Sequence, residues 1–209
     1  MARFTRSVAL ALLVGAAQIG STGAMNTAPA LIVIDMQEGF TDPFWGPTTN
    51  HPGCEENVDR LIAAWTERTW PIVAVRHDSV QPDSPLRTGH PGNALISSVA
   101  EARADLRVAK TVNSAFYGAP DLEAWLRERE ITTIVLCGIQ TNMCVETTAR
   151  MGGNLGFDVV VALDATRTFD LAGLDGRIIP AGRLMDATAT NLHGGGFARV
   201  LSTADVLRG

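Results

Sequence analysis

The chain is read as an α/β protein with three layers and a six-stranded, mainly parallel sheet. Three observations predict this class. Short apolar runs such as Ala30-Leu31-Ile32-Val33-Ile34 and Ile134-Val135-Leu136-Cys137 show no polar alternation, as expected of strands buried on both faces. Segments with helical apolar spacing separate these runs, so strands and helices alternate along the chain. Polar or charged residues close several strands, and right-handed crossovers then bring those ends to one edge of the sheet.

The elements follow in order. The first strand, 30–34, stops at Asp35. Val58, Leu61, Ile62 and Trp65 keep helical spacing between Cys54 and Arg68, and Ile72–Val75 forms the second strand. Arg76-His77-Asp78 is placed in the loop that follows, where His77, like His51 and His90, reads as a surface or hydrogen-bonding histidine. Leu106–Ala109 is the third strand, with Lys110 at its end. Pro120 is expected at the first position of a helix through Leu122, Trp125 and Leu126. The fourth strand, 134–137, turns through Gly138 into a helix opening near Cys144, with Thr141 and Asn142 as N-cap candidates and Glu146 in the first turn. Asp158–Leu163, a helix over Ala181–His193 stopped by three glycines, and Phe197–Leu201 complete the pattern.

Composition narrows the classes of function. At 209 residues with 46% hydrophobic residues, one domain with a sizeable core is expected. A net charge of −5 and a pI near 5.3 give no basic footprint for nucleic acid, and no membrane association is expected. Three cysteines, Cys54, Cys137 and Cys144, argue against a disulfide framework or a structural zinc site. Residues 1–24 carry Arg3, Arg6 and the apolar run Val8–Ala17, which fits a signal peptide; equally, translation from Met25 makes them a mis-called extension. The first reading exports the protein and the second leaves it cytoplasmic. Under both, the domain is 25–209.

Cys144 is the centre of the chemistry. A thiol at a helix N-terminus gains from unpaired N–H groups and the positive dipole end, which favour thiolate. The competing reading is a buried, inert cysteine. Asp35 is either a loop cap or a carboxylate placed at the sheet edge for use, and Lys110 is either surface or an ammonium in the same cleft. All three converge at the carboxyl edge. Cys137, inside an apolar strand, is expected to be unreactive; Cys54, before a surface helix, is expected to react without consequence. The three cleft groups are expected to titrate together and give a bell-shaped pH–rate profile.

At these residues the sequence resembles the isochorismatase-like cysteine hydrolases. The resemblance runs from about Ala30 to Leu207, through Leu-Ile-Val-Ile-Asp-Met-Gln (31–37), Lys110 with Asn-Ser-Ala-Phe (113–116), Cys-Gly-Ile-Gln-Thr-Asn-Met-Cys-Val-Glu-Thr-Thr (137–148), Asp-Ala-Thr (164–166) and Phe169-Asp170. It implies the family's Rossmann-like, isochorismatase-like hydrolase fold. It also implies a triad: Cys144 as nucleophile, Asp35 as proton acceptor and Lys110 orienting both. The family's cis peptide maps to Ile139–Gln140, and its oxyanion hole to the backbone N–H groups of Gln140 and Cys144. Gln37, Phe40, Trp45 and Phe116 are the expected substrate-pocket residues.

The family divides in chemistry. Its nicotinamidases bind a metal through an Asp-x-His pair and a later histidine, a pattern that residues 76–90 do not reproduce, so no metal and no cofactor are expected. No carrier domain is expected beyond residue 209. The Arg76–Gly92 loop is similar to the branch that includes streptothricin hydrolases, which open a lactam. The expected activity is hydrolysis of a C–N bond in a small amide or lactam through a cysteine thioester. The alternatives are a vinyl ether hydrolase of isochorismatase type and a catalytically silent small-molecule binder. The expected partners are a small-molecule substrate and further copies of the chain in a homo-oligomer, with the Ala149–Leu155 region as the shared face.

Overall fold

The computed structural model describes residues 28–46 and 53–208. The segment 1–24 with Met25, and His51, lie outside them. The parallel sheet holds six strands in the order β3-β2-β1-β4-β5-β8: β1 (Ala30–Ile34), β2 (Ile72–His77), β3 (Leu106–Lys110), β4 (Thr133–Ile139), β5 (Asp158–Arg167) and β8 (Arg199–Leu201). The two remaining strands, β6 (Leu171–Ala172) and β7 (Ile178–Ile179), pair as a separate antiparallel hairpin. Six α-helices accompany them among the described residues: α1 (Cys54–Glu67), α2 (Ser97–Ala100), α3 (Leu122–Glu128), α4 (Glu146–Asn154), α5 (Ala181–Gly194) and α6 (Thr203–Arg208). None of the described helices is long and apolar enough to cross a membrane.

Strand side chains alternate between faces, so each central strand feeds two cores. Ile32, Ile34, Ile134 and Leu136 pack with Trp125 and Leu126 of α3, Ala149 of α4 and Leu192 of α5. Leu31, Val33, Val135 and Cys137 pack on the other face with Val58, Leu61 and Trp65 of α1, Val99 of α2 and Val206 of α6. This sandwich explains why β1 is apolar at every position: all five of its residues are buried. The chain winds one way from β1 through β2 to β3, then returns to the other side of β1 with β4. The order of strands reverses between β1 and β4, and a ligand crevice is expected at such a point.

Several boundaries differ from the sequence reading. Strand β2 runs on through Arg76 and His77, paired to Ala109 and Lys110 of β3. Strand β5 continues to Arg167, because Thr166 and Arg167 pair with Gly138 and Ile139 past an irregularity in register. Pro120 does not open α3: the Asp121 side chain caps it by accepting from the Ala124 N–H. Ala149 is core, while Met151 and Leu155 pack against it. Exposed apolar side chains include Leu174, Ile178 and Ile179 on the hairpin and Phe44, Val80, Val112 and Tyr117 elsewhere.

Candidate active site

Strand order places the chemistry. Lys110 ends β3, His77 ends β2, Asp35 follows β1, and Cys144 lies just beyond β4, so the four residues sit in the sequence of the strands themselves. Asp35 turns out of β1 with a positive φ of 51°. That left-handed conformation is tolerated by Asp better than by most residues. Gly138, at φ 117°, allows β4 to pass β1 closely: a Cβ there would lie 1.9 Å from the Ile34 carbonyl oxygen. The Ile139–Gln140 peptide is cis.

Beyond it the chain forms a π-helical turn, Thr141–Val145, that leads into α4. The Met143 and Val145 N–H groups both donate to the Gln140 carbonyl. Thr141 and Asn142 are not the caps the sequence suggested. The Thr141 hydroxyl pairs with Thr166 at 2.8 Å, and Asn142 Oδ1 accepts from Thr168 at 2.5 Å, so the end of β5 and the residue just past it hold the turn. Thr168 also donates to Gln140 Oε1 at 3.3 Å. Glu146 clamps the helix start, accepting from Arg150 and from Thr188 of α5.

Lys110 Nζ is the hub. It donates to Asp35 Oδ2 at 2.6 Å and to Cys144 Sγ at 3.3 Å, and it lies 3.1 Å from His77 Nδ1. The Asp35 and Lys110 side chains are both 0% exposed. Asp35 Oδ1 is buried without a hydrogen-bond partner among the described residues. Cys144 keeps a sliver of exposure, 8%, while Cys54 and Cys137 have none. The geometry thus brings together Asp35, Lys110 and Cys144 as the sequence suggested.

The electrostatics correct one expectation. Burial and the neighbouring Asp35 carboxylate push the Cys144 thiol above its ordinary value, and the Lys110 ammonium opposes them only in part. That direction runs against the thiolate expected of a helix N-terminus. Cys54 is corrected as well. It is a core residue whose thiol is pushed up by burial first and by Glu55 next. Burial likewise pushes Cys137 well up.

The cleft above the sulfur has a volume of about 240 Å³. Phe40 and Trp45 form an apolar wall, backed by Phe169, with ring centroids 5.0–6.0 Å apart. Ser79, Gln81, Ser84 and Asn113 supply neutral polar groups, and Gln140 and Met143 lie beside Cys144. Two expected pocket residues are elsewhere. Phe116 stacks on Phe157 at 5.8 Å within the core, because its short 3-10 turn packs beneath α4. Gln37 is spent on backbone: its amide oxygen accepts from the His77 N–H at 2.9 Å, and its amide nitrogen donates to the carbonyls of His77 and Asn93.

His77 is the residue that sequence reasoning missed. It lines the cleft and touches the hub. Burial, and then the Lys110 charge, hold its pKa below the ordinary value, which favours the neutral ring. Its position at the end of the strand between β3 and β1 was the signal that could have found it.

Asp35, His77 and Cys144 present ligand atoms within 4.8 Å of one another, a donor set suited to a transition metal. They do not fit one here, because all three face the Lys110 ammonium, whose charge would repel a metal ion.

The Isochorismatase domain matches residues 29–178. The isochorismatase family protein YrdC of Bacillus subtilis (strain 168) is 35% identical over 183 residues, covering 88% of this chain and 96% of that protein. A crystal structure of a hydrolase of the isochorismatase family from Chromobacterium violaceum is 41% identical, with a TM-score of 0.80 over 87% of this chain and 92% of the other. A shorter match of 73 residues, 40% identical, covers 35% of this chain and 28% of the ureidoacrylate amidohydrolase RutB of Methylobacterium radiotolerans. The similarity spans the strands that carry Asp35, Lys110 and Cys144, and the chain belongs to the isochorismatase family of hydrolases.

Proposed function

We propose that this hydrolase is a metal-independent cysteine amidohydrolase that cleaves a C–N bond of a small, uncharged amide or lactam. One observation carries the reading: a buried carboxylate with a free oxygen, Asp35 Oδ1, beside a thiol whose sulfur is held by a buried ammonium. The thiol is raised and the carboxylate is adjacent, so the proton moves during attack rather than before it.

In the first half, Cys144 Sγ bonds to the amide carbon and its proton passes to Asp35 Oδ1. The backbone N–H groups of Gln140 and Cys144 hold the negative oxygen. Asp35 then protonates the departing nitrogen, the C–N bond breaks, and a thioester remains. In the second half, a water loses its proton to Asp35 and attacks the thioester, and the returning proton restores the Cys144 thiol as the acid leaves. Lys110 stabilises whichever of Oδ2 and Sγ bears the negative charge.

The substrate class is argued from the cleft lining, which among the described residues contains no Arg and no Lys. The nearby ammonium already faces three acceptors. A substrate carboxylate bound there would meet neutral donors but no free cation, and so would cost more to desolvate than a neutral amide. This favours the amide reading over vinyl ether hydrolysis, since isochorismate carries two carboxylates. The similarity to a ureidoacrylate amidohydrolase supports C–N chemistry over the stretch it covers, and not the uncharged class, because ureidoacrylate itself carries a carboxylate.

The test is ammonia or amine release across a panel of neutral amides, lactams and their carboxylate-bearing analogues, with hydroxylamine added to trap the acyl group. Hydroxamate formation that disappears in Cys144→Ala is the expected result. Turnover confined to the carboxylate-bearing compounds would reverse the substrate class, and full turnover by Cys144→Ala would remove the nucleophile.

A further inference from the structure

The Lys110 ammonium has three N–H bonds to donate. Three atoms surround it within hydrogen-bonding distance: Asp35 Oδ2, Cys144 Sγ and His77 Nδ1. The first two belong to the proposed reaction and the third has no part in it. We propose that His77 is a positioning residue: its unprotonated Nδ1 holds the third N–H of Lys110 and keeps the ammonium between Asp35 and Cys144 while charge moves from carboxylate to sulfur. The proposal rests on the reading of Cys144 as nucleophile.

Charge movement is the reason a third acceptor matters. At rest the ammonium is paired with the Asp35 carboxylate. Once Asp35 takes the thiol proton, its pull on Lys110 falls and that of sulfur grows. Two acceptors of changing strength would let a four-carbon side chain follow the charge. Asp35 must then return its proton to the leaving nitrogen from an unchanged position. A neutral imidazole keeps constant strength through both halves, which suits it to be the fixed leg.

The frame around His77 is built to hold it. It is the register partner of Lys110 on adjacent parallel strands. Its backbone is clamped on both sides by Gln37, and its carbonyl also accepts from Asn93 Nδ2 at 3.2 Å. The charged and titratable groups facing it are Lys110 on β3, Asp35 beyond β1, Cys144 after β4, and Asp78, which is itself paired with Arg76. A cationic ring has no lone pair at Nδ1 and would meet the ammonium at 3.1 Å. Burial and that ammonium both favour the neutral ring.

The experiment uses the full chain and two readouts. Histidine nitrogen NMR first resolves the four imidazoles. The expected result is one ring fixed at neutral pH as the Nε2–H tautomer, lost on His77→Asn. A cationic ring, or an Nδ1–H tautomer, would overturn the proposal. Iodoacetamide labelling of Cys144, read by mass spectrometry at one pH, then compares two variants. Asn places an oxygen near the Nδ1 position and Leu places none. His77→Asn is expected to label within about threefold of the native rate. His77→Leu is expected to be about tenfold slower, in keeping with loss of one hydrogen bond to a charged group. A native rate in well-folded His77→Leu, or equal slowing in both variants, would also overturn it. Should native Cys144 label no faster than Cys54 and Cys137, the nucleophile reading fails instead, and the tautomer still decides the His77–Lys110 contact.

Discussion

A single buried charge pair governs how the site responds to substitution. Asp35 and Lys110 are both fully enclosed, so removing either leaves the other charged and unpaired. Lys110→Met or Asp35→Leu is expected to cost about 3–5 kcal/mol of stability, measured by urea unfolding, and to abolish turnover. The double variant removes both charges together and is expected to cost clearly less than the sum of the two. Additive losses would show that the pair is not coupled. Cys144→Ala leaves both charges in place, and is expected to eliminate turnover while keeping the unfolding midpoint close to native. Iodoacetamide is expected to label Cys144 before Cys54 or Cys137, since only Cys144 faces the cleft.

The β1–β4 crossing is the element on which the site depends. A Cβ at Gly138 would overlap the Ile34 carbonyl oxygen, and φ there is 117°. Gly138→Ala is therefore expected to lose more than about 3 kcal/mol or to fail to fold, a cost large enough to need a named steric cause. Gly182, in the first turn of α5, has open space around its Cβ position and no positive φ. Gly182→Ala is expected to raise stability by up to about 1 kcal/mol. Thermal melts of both variants check the contrast. The same elements show what was legible in the sequence. Asp35 and Lys110 stood out because each closes a strand, and Cys144 because it opens a helix after a strand and a tight turn. His77 did not, because Arg76 and His77 are polar and the strand was ended at Val75; only pairing with Ala109 and Lys110 extends it. Phe116 and Gln37 sit near motif residues, but side-chain direction sends one into the core and the other onto the backbone. The β6–β7 hairpin escaped notice because two-residue strands carry no periodicity.

At the scale of the whole molecule, three buried thiols set the alkaline limit. Burial raises Cys54, Cys137 and Cys144 above the ordinary value of 9.0. The unfolded chain therefore releases protons that the folded chain retains. Their contribution to stability is complete below pH 9 and is lost as pH rises beyond it. Each thiol is expected to remove about 1.4 kcal/mol per pH unit there. Urea midpoints should be flat in this respect up to pH 8 and fall beyond pH 9, with a shallower fall in Cys137→Ala. An unchanged slope in that variant would count against the assignment. The chain is also expected to assemble as a dimer or larger homo-oligomer; a monomer mass by light scattering at micromolar concentration would refute this.

The ammonium of Lys110 also has a consequence for how the protein meets its ionic surroundings. It is a cation tethered by a covalent stem, so it needs no loading step and cannot be stripped by a competitor. Chelators are expected to leave turnover unchanged. Shortening the stem reverses the situation. In Lys110→Ala, an oxygen, an imidazole nitrogen and a sulfur within 4.8 Å of one another lose their shared cation and acquire an empty space between them. Such a set matches the ligands that divalent transition ions prefer. The inactive variant is expected to take up cobalt(II) with the intense visible and near-ultraviolet bands of thiolate coordination, and the native protein is not. The charge that excludes metals from this site is thus the same one that aligns its sulfur.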